Sequence, residues 1–186
     1  MDEIVNQMAK IRYMFGGQVK VPMVLWAPDG AGLSAAAQHS QSLESWFVHT
    51  PGLKVVVPSE PADAKGLLKA AIRDDDPVIF FQHKRLFRQT GPVPDDDCLI
   101  PLGKGAIKRP GADITLITYS RMTYGCVEAA EQLAKEGIAA EVIDLRTLKP
   151  LDFDLIAQSI RKTRRAIVVH EACLTGGFGA EVASRI

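Results

Sequence analysis

Four histidines are available in this chain to handle a proton near neutral pH, and His39 has the sequence surroundings best suited to that work. It lies in Pro28–Phe47, PDGAGLSAAAQHSQSLESWF, where a glycine-containing loop follows an apolar run at Val21–Trp26 and leads into a polar stretch read as a helix start. An imidazole at a helix N-terminus feels the partial positive charge of free N–H groups, which disfavours imidazolium and leaves a neutral ring able to donate or accept one proton. Gln38, Ser40 and Gln41 are placed to orient it. A loop or capping histidine with a satisfied hydrogen bond remains the alternative from spacing alone.

The other chemistry-bearing residues are weaker candidates. His170-Glu171 closes an apolar run, and strand carboxyl ends are where parallel sheets collect ligands, but no third titratable group lies near in sequence. A cleft-edge or interface role is as well supported there as catalysis. His49 and His83-Lys84 are read as solvated surface. Asp74-Asp75-Asp76 has the charge to bind a hard cation, though three carboxylates in a turn more often serve plain solubility. Gly176–Glu181, GGFGAE, reads as a tight turn needing positive φ rather than an anion cradle. The loop glycines Gly30 and Gly32 do not complete a dinucleotide fingerprint, and no phosphate-binding G-x-x-x-x-G-K-[ST] occurs. Cys98, Cys126 and Cys173 are odd in number and far apart, which argues against a disulfide framework or a zinc site.

The elements that must position these residues follow a βαβ rhythm. An amphipathic helix over residues 2–15 is followed by strands at VPMVLW, LKVVVP and VIFFQ, with a helix opened by Ser59-Glu60-Pro61 between the last two. Between Lys84 and Gly111 the periodicity disappears among prolines, glycines and charges, which marks a linker. The rhythm restarts at ITLITY and continues through AEVIDL and AIVVHE, each followed by a helical pattern. The expectation is α/β: a parallel-sheet domain over 1–90, a linker over 91–111 and a smaller α/β domain over 112–186. Lys plus Arg equals Asp plus Glu at 22 each, so no field draws the chain to nucleic acid or an anionic membrane. No apolar stretch approaches the ~20 residues a membrane helix needs. Cytoplasmic localisation is expected.

Several long blocks, among them MDEIVNQMAKIRYMFGGQ, AAAQHSQSLESWF, HTPGLKVVVPSEPADAKGLLKAAIRDDDPVIFFQHKRLF, IAAEVIDLRTLKPLD and VVHEACLTGGFGAEVASRI, resemble the β subunit of the thiamine-diphosphate-dependent decarboxylating component of 2-oxo acid dehydrogenase complexes. The resemblance covers essentially the whole chain. It implies a pyrimidine-binding domain lacking its N-terminal part, then an incomplete transketolase C-terminal-like domain, so that the chain is a fragment truncated at both ends. It further implies an α2β2 tetramer in which an α subunit holds the diphosphate and its Mg2+. The glutamate that activates thiamine lies before the block matching MDEIVNQ, which leaves no cofactor-binding residue within this chain. The family's active-site histidine falls on His39, where it orients the substrate-derived intermediate and the incoming lipoyl group. A structural K+ held by backbone carbonyls maps onto Met23, Ala71, Asp74 and Asp76. The implied reaction removes CO2 from a small 2-oxo acid and passes the acyl group to a lipoyl-bearing acyltransferase core. FFQHKRLFR leans toward branched-chain members, and QHSQSLESWF with VVHEACLTGGFGAE toward acetoin dehydrogenase. A non-catalytic assembly module is the alternative from a different class.

Overall fold

The apolar runs LKVVVP, VIFFQ, ITLITY and AEVIDL supply the central strands of two four-stranded sheets in the computed structural model, which describes residues 1–186. The strands are β1 (Val24–Asp29), β2 (Lys54–Val56), β3 (Val78–His83), β4 (Ala106–Arg109), β5 (Ile114–Thr118), β6 (Ala140–Asp144), β7 (Thr147–Lys149) and β8 (Ala166–Val169). The order in one sheet is β1-β3-β2-β7 and in the other β4-β6-β5-β8. β1, β2 and β3 run parallel, as do β5, β6 and β8, while β7 and β4 pair antiparallel at the edges. The chain is therefore two α/β domains with mixed, mostly parallel sheets.

A π-helical stretch, Glu3–Met8, runs into α1 (Ala9–Met14), and five further helices follow: α2 (Glu44–Val48), α3 (Pro61–Ile72), α4 (Met122–Lys135), α5 (Phe153–Thr163) and α6 (Phe178–Arg185). Pro61 sits in the first turn of α3, where its missing N–H leaves nothing unsatisfied. α5 is fixed at both ends: Asp152 accepts the Leu155 amide at 3.3 Å, and Arg164 turns the chain out at φ +60°.

The largest apolar cluster lies between the sheets rather than within either domain. Val55, Ile79 and Phe81 from the first sheet pack with Ile117 and Ile143 from the second, and Leu148, Ile156, Phe178 and Val182 are among the residues that join them. The outer faces are covered separately, by Leu67 and Ala71 of α3 on one side and by Cys126 and Ala130 of α4 on the other. A polar seam runs beside the shared core. Lys108 reaches Asp63 at 2.7 Å and Glu60 at 2.9 Å, Arg146 reaches Asp63 at 3.0 Å, and Ser59 donates to the fully buried carboxylate of Asp144.

Three expectations change. VPMVLW was expected inside a covered sheet, yet β1 is an edge strand paired only with β3, with Met23 and Trp26 more than half exposed at 54% and 51%. Ser59 was expected to cap α3, but the cap position is Glu60 and the Ser59 hydroxyl is spent on Asp144. β4 and β7 had no apolar run to announce them, since each is three or four residues long and gains its stability from one neighbouring strand.

Because Leu148 on β7 is 2% exposed within the shared core, Leu148→Ala should lower unfolding free energy by ~2–5 kcal/mol. Urea denaturation followed by probes in both halves should shift as one cooperative transition. Two separate midpoints would contradict a common core.

Candidate active site

The carboxyl ends of three parallel strands bring together groups that the sequence keeps far apart. Asp29 ends β1, His83 ends β3, and Glu171 follows β8, while Tyr119 follows β5 and Glu44 opens α2. Asp29, Glu44, His83 and Tyr119 are each at most 5% exposed. Asp29 Oδ1, Glu44 Oε2 and the Tyr119 hydroxyl find no hydrogen-bond partner, so the buried charge has little to compensate it. Burial and the negative charge of Glu44 push the Asp29 carboxyl up to about 8, and burial with the charge of Glu171 pushes Glu44 up to about 7. Burial beside these carboxylates also raises the Tyr119 phenol.

Glu171 behaves differently because it has partners. Burial works to raise it, but the Ala31 amide at 2.5 Å, the His83 ring at 3.0 Å and the charge of Arg121 hold it below the ordinary glutamate value. The His83 tautomer follows from its contacts. Nδ1 accepts the Arg85 amide at 3.1 Å, so the ring proton is on Nε2 and is donated to Glu171. Burial lowers the His83 pKa despite Glu171, which keeps the ring neutral.

Above this cluster the loop carrying His39 closes on itself. The Gly30 amide donates to Gln41 O at 2.9 Å, Ala31 N–H is taken by Glu171, and Arg85 donates to Gly32 O at 3.3 Å. Gly30 lies at φ +82°, and a Cβ there would stand 2.0 Å from His83 Nε2, so only glycine allows the neck to rest on that ring. His39 projects from the far part of the loop and is exposed.

The surroundings expected of His39 are corrected. Ser34 and Ala36 adopt φ of +54° and +65°, which breaks any helix through the alanine run, and His39 is the last residue of the short 3-10 turn Ala37–His39. His39 thus stands at the end of a 3-10 turn and not at an α-helix N-terminus, so the dipole argument does not apply to it. His83, expected on a solvated surface, is 3% exposed. His49 is exposed, as read from the sequence. At GGFGAE, Gly176 takes φ +70°, and a Cβ at Gly179 would lie 2.3 Å from the His170 ring, so these glycines serve turn and packing. His170 stacks on Tyr119 at 6.3 Å, with Nδ1 unpartnered.

Two of the four carbonyls expected to hold potassium already accept backbone hydrogen bonds: Met23 O from Val78 at 2.9 Å and Ala71 O from Asp74 at 3.3 Å. The carboxylates of the acidic turn face cations, Asp74 pairing with Lys54 at 2.7 Å and Asp76 with Arg12 at 2.5 Å. The second lone pairs of Met23 O and Ala71 O, with the carbonyls of Asp74 and Asp76, are what the turn can offer a further cation. No group of three or more His, Cys, Asp or Glu side chains is arranged to hold a metal ion, and no helix is long and apolar enough to cross a membrane.

Sequence reasoning missed Asp29, Glu44, His83 and Tyr119 as a group. The one available signal was position: Asp29, His83 and Glu171 each stand where an apolar strand ends.

Comparison with known proteins gives the same two-part division. Residues 1–90 match the transketolase pyrimidine binding domain, and residues 103–186 match the transketolase C-terminal domain. The chain is 51% identical over its whole length to the β subunit of acetoin:2,6-dichlorophenolindophenol oxidoreductase of Cupriavidus necator, covering 55% of that protein. It is 47% identical, again over its whole length, to the mitochondrial pyruvate dehydrogenase E1 component β subunit of Caenorhabditis elegans, covering 54% of it. The 2-oxoisovalerate dehydrogenase β subunit of Bacillus subtilis is 48% identical, with 100% of this chain and 57% of that protein covered. The chain thus spans about half the length of the curated relatives it matches. Among solved structures, a split-gene transketolase described as an inactive β4 tetramer superposes with a TM-score of 0.81 at 27% identity, over 99% of this chain and 57% of that one.

The raised carboxyls fix the sign of a pH effect. Asp29 and Glu44 keep protons in the folded chain that the unfolded chain releases at ordinary carboxyl pKa values, so stability should fall as pH rises from ~4 through ~8. Asp29→Asn, which cannot ionise, should flatten that fall in chemical denaturation measured across the range. An unchanged slope would mean that Asp29 is already ionised in the folded chain.

Proposed function

Because the chain belongs to the β-subunit family of thiamine-diphosphate-dependent 2-oxo acid dehydrogenases, built on transketolase pyrimidine-binding and C-terminal domains, we propose that it works in the oxidative decarboxylation of a 2-oxo acid and transfer of the acyl group to a lipoyl domain. The observation that carries this reading is the loop Gly30–Gln41: it is tied at its neck to buried groups and presents His39 outward, as a group meant for a partner or substrate would be. His39 is the catalytic residue, orienting the incoming lipoyl group and handling its proton.

The cofactor is thiamine diphosphate, which when bound supplies the electron sink for loss of CO2. The loop Gly30–Gln41 carries no Lys or Arg, so its donor set fits the substrate end of the site rather than the diphosphate. An α subunit holds the diphosphate with Mg2+ in an α2β2 assembly that serves a lipoyl-bearing acyltransferase core in the cytoplasm. The organisation is a pyrimidine-binding domain over 1–90, a linker over 91–111 and a C-terminal domain over 112–186; residues 106–109 of that linker form β4. A K+ at the turn built by Met23, Ala71, Asp74 and Asp76 belongs to the same reading, bound through the backbone carbonyls, of which Met23 O and Ala71 O would use their second lone pairs.

Acetoin oxidation is the second reading, favoured by the 51% identity to the Cupriavidus necator β subunit. Full-length β subunit containing this sequence, assembled with its α subunit, separates the two through dye reduction with pyruvate, branched-chain 2-oxo acids or acetoin. His39→Ala in that assembly should slow lipoyl-domain acylation by about 10²–10⁴-fold. Acylation at the wild-type rate would remove His39 from the mechanism, and no turnover of any of these substrates would overturn the functional reading.

A further inference from the structure

Glu171 belongs to the C-terminal half, yet both of its donors belong to the N-terminal half. Oε1 accepts Ala31 N–H at 2.5 Å across 140 residues of sequence, and Oε2 accepts His83 Nε2–H at 3.0 Å across 88. Both donors sit at the neck of the His39 loop: Ala31 is its first free amide after the Gly30–Gln41 closure, and His83 is the ring on which Gly30 rests. The tautomer leaves no substitute, because His83 Nδ1 is already engaged by Arg85.

We propose that Glu171 is the positioning residue of the His39 loop, a carboxylate strut from the C-terminal domain that fixes the neck from which residues 32–40 project. Its bearing on catalysis rests on the reading of His39 given above; the strut itself does not. Only a carboxylate has an acceptor for each of the two N–H groups. A glutamine offers one acceptor and turns its amide donors toward the other N–H, leaving a buried donor opposed.

The charged and titratable neighbours leave Glu171 as the ionised carboxylate of the cluster. Asp29 on β1 and Glu44 on α2 are raised by burial, Tyr119 after β5 stays a phenol, and His83 stays neutral. Arg121 ahead of α4 adds positive charge near Glu171, Lys84 beside His83 adds it near Asp29, and the adjacent His170 is pushed toward its neutral form by burial. The strut should therefore be intact at neutral pH and be lost only as acid protonates Glu171, below the usual glutamate range.

Amide hydrogen exchange on the full 186-residue chain tests this. In Glu171→Gln the Ala31 amide should exchange about tenfold or more faster, while amides of Val55, Ile117 and Ile143 in the shared core keep their protection. In the wild-type chain, protection of Ala31 corrected for intrinsic rate should collapse on acidification, and Glu171→Gln should show no such step. An unchanged Ala31 rate, or equal acceleration at the core amides, would overturn the strut. The wild-type acid profile needs no variant, so a chain without the acid step overturns it even if Glu171→Gln does not fold. Failure of His39→Ala to affect acylation would overturn the functional reading and leave the exchange result standing.

Discussion

The antiparallel pairing of β7 with β2 joins Thr147 and Lys149 to Val56 and Val55, and through it the second half of the chain contributes a strand to the sheet of the first. Nothing in a βαβ rhythm requires this exchange. Once it is made, the inner faces of the two sheets are held opposite one another, and Ile79, Phe81, Ile117 and Ile143 fill the space between them as one core. Lys149 reinforces the stitch by donating to Val48 O at 2.7 Å and Thr50 O at 3.0 Å, at the end of α2. The two domains recognised by sequence comparison are thus physically one unit along this seam.

The same seam explains why the site is acidic and why it is dry. Strands of both sheets end on one side of the shared core, so Asp29, His83 and Glu171 arrive there together with Glu44 and Tyr119. Three carboxyls in so little water cannot all ionise. The charge settles on Glu171, which has two N–H donors and Arg121 nearby, while Asp29 and Glu44 remain protonated into the neutral range. The loop bearing His39 is consequently fixed at its base and open at its tip, an arrangement suited to a group that must meet a partner reproducibly.

Much of this architecture was legible in the sequence. The runs LKVVVP, VIFFQ, ITLITY and AEVIDL each contain a largely buried strand, because such a parallel strand needs little beyond continuous apolar residues, and AIVVHE contains the half-exposed edge strand β8. β4 and β7 were invisible since their stability comes from strands far away in sequence. His83 looked solvated beside Lys84 and Arg85, but its neighbours in space are Gly30 and Glu171, 53 and 88 residues away by number. Asp29 carried only its place at the end of an apolar run and Glu44 carried no pattern at all; their significance is burial, and burial is decided by the fold. The polar stretch carrying His39 read as a helix start, whereas positive φ at Ser34 and Ala36 makes the segment before it an irregular loop. The resemblance to a known family implies a role for His39 that spacing alone left open.

The neck of the His39 loop depends most on one ring. If Glu171 is the ionised strut and the loop neck rests on His83, the imidazole of His83 must be neutral with its proton on Nε2. Nitrogen-15 NMR of the histidine rings at neutral pH reads this directly. A protonated, pyrrole-like Nε2 and a bare, pyridine-like Nδ1 are expected for His83. An Nδ1–H tautomer, an imidazolium, or rapid averaging between tautomers would contradict this assignment.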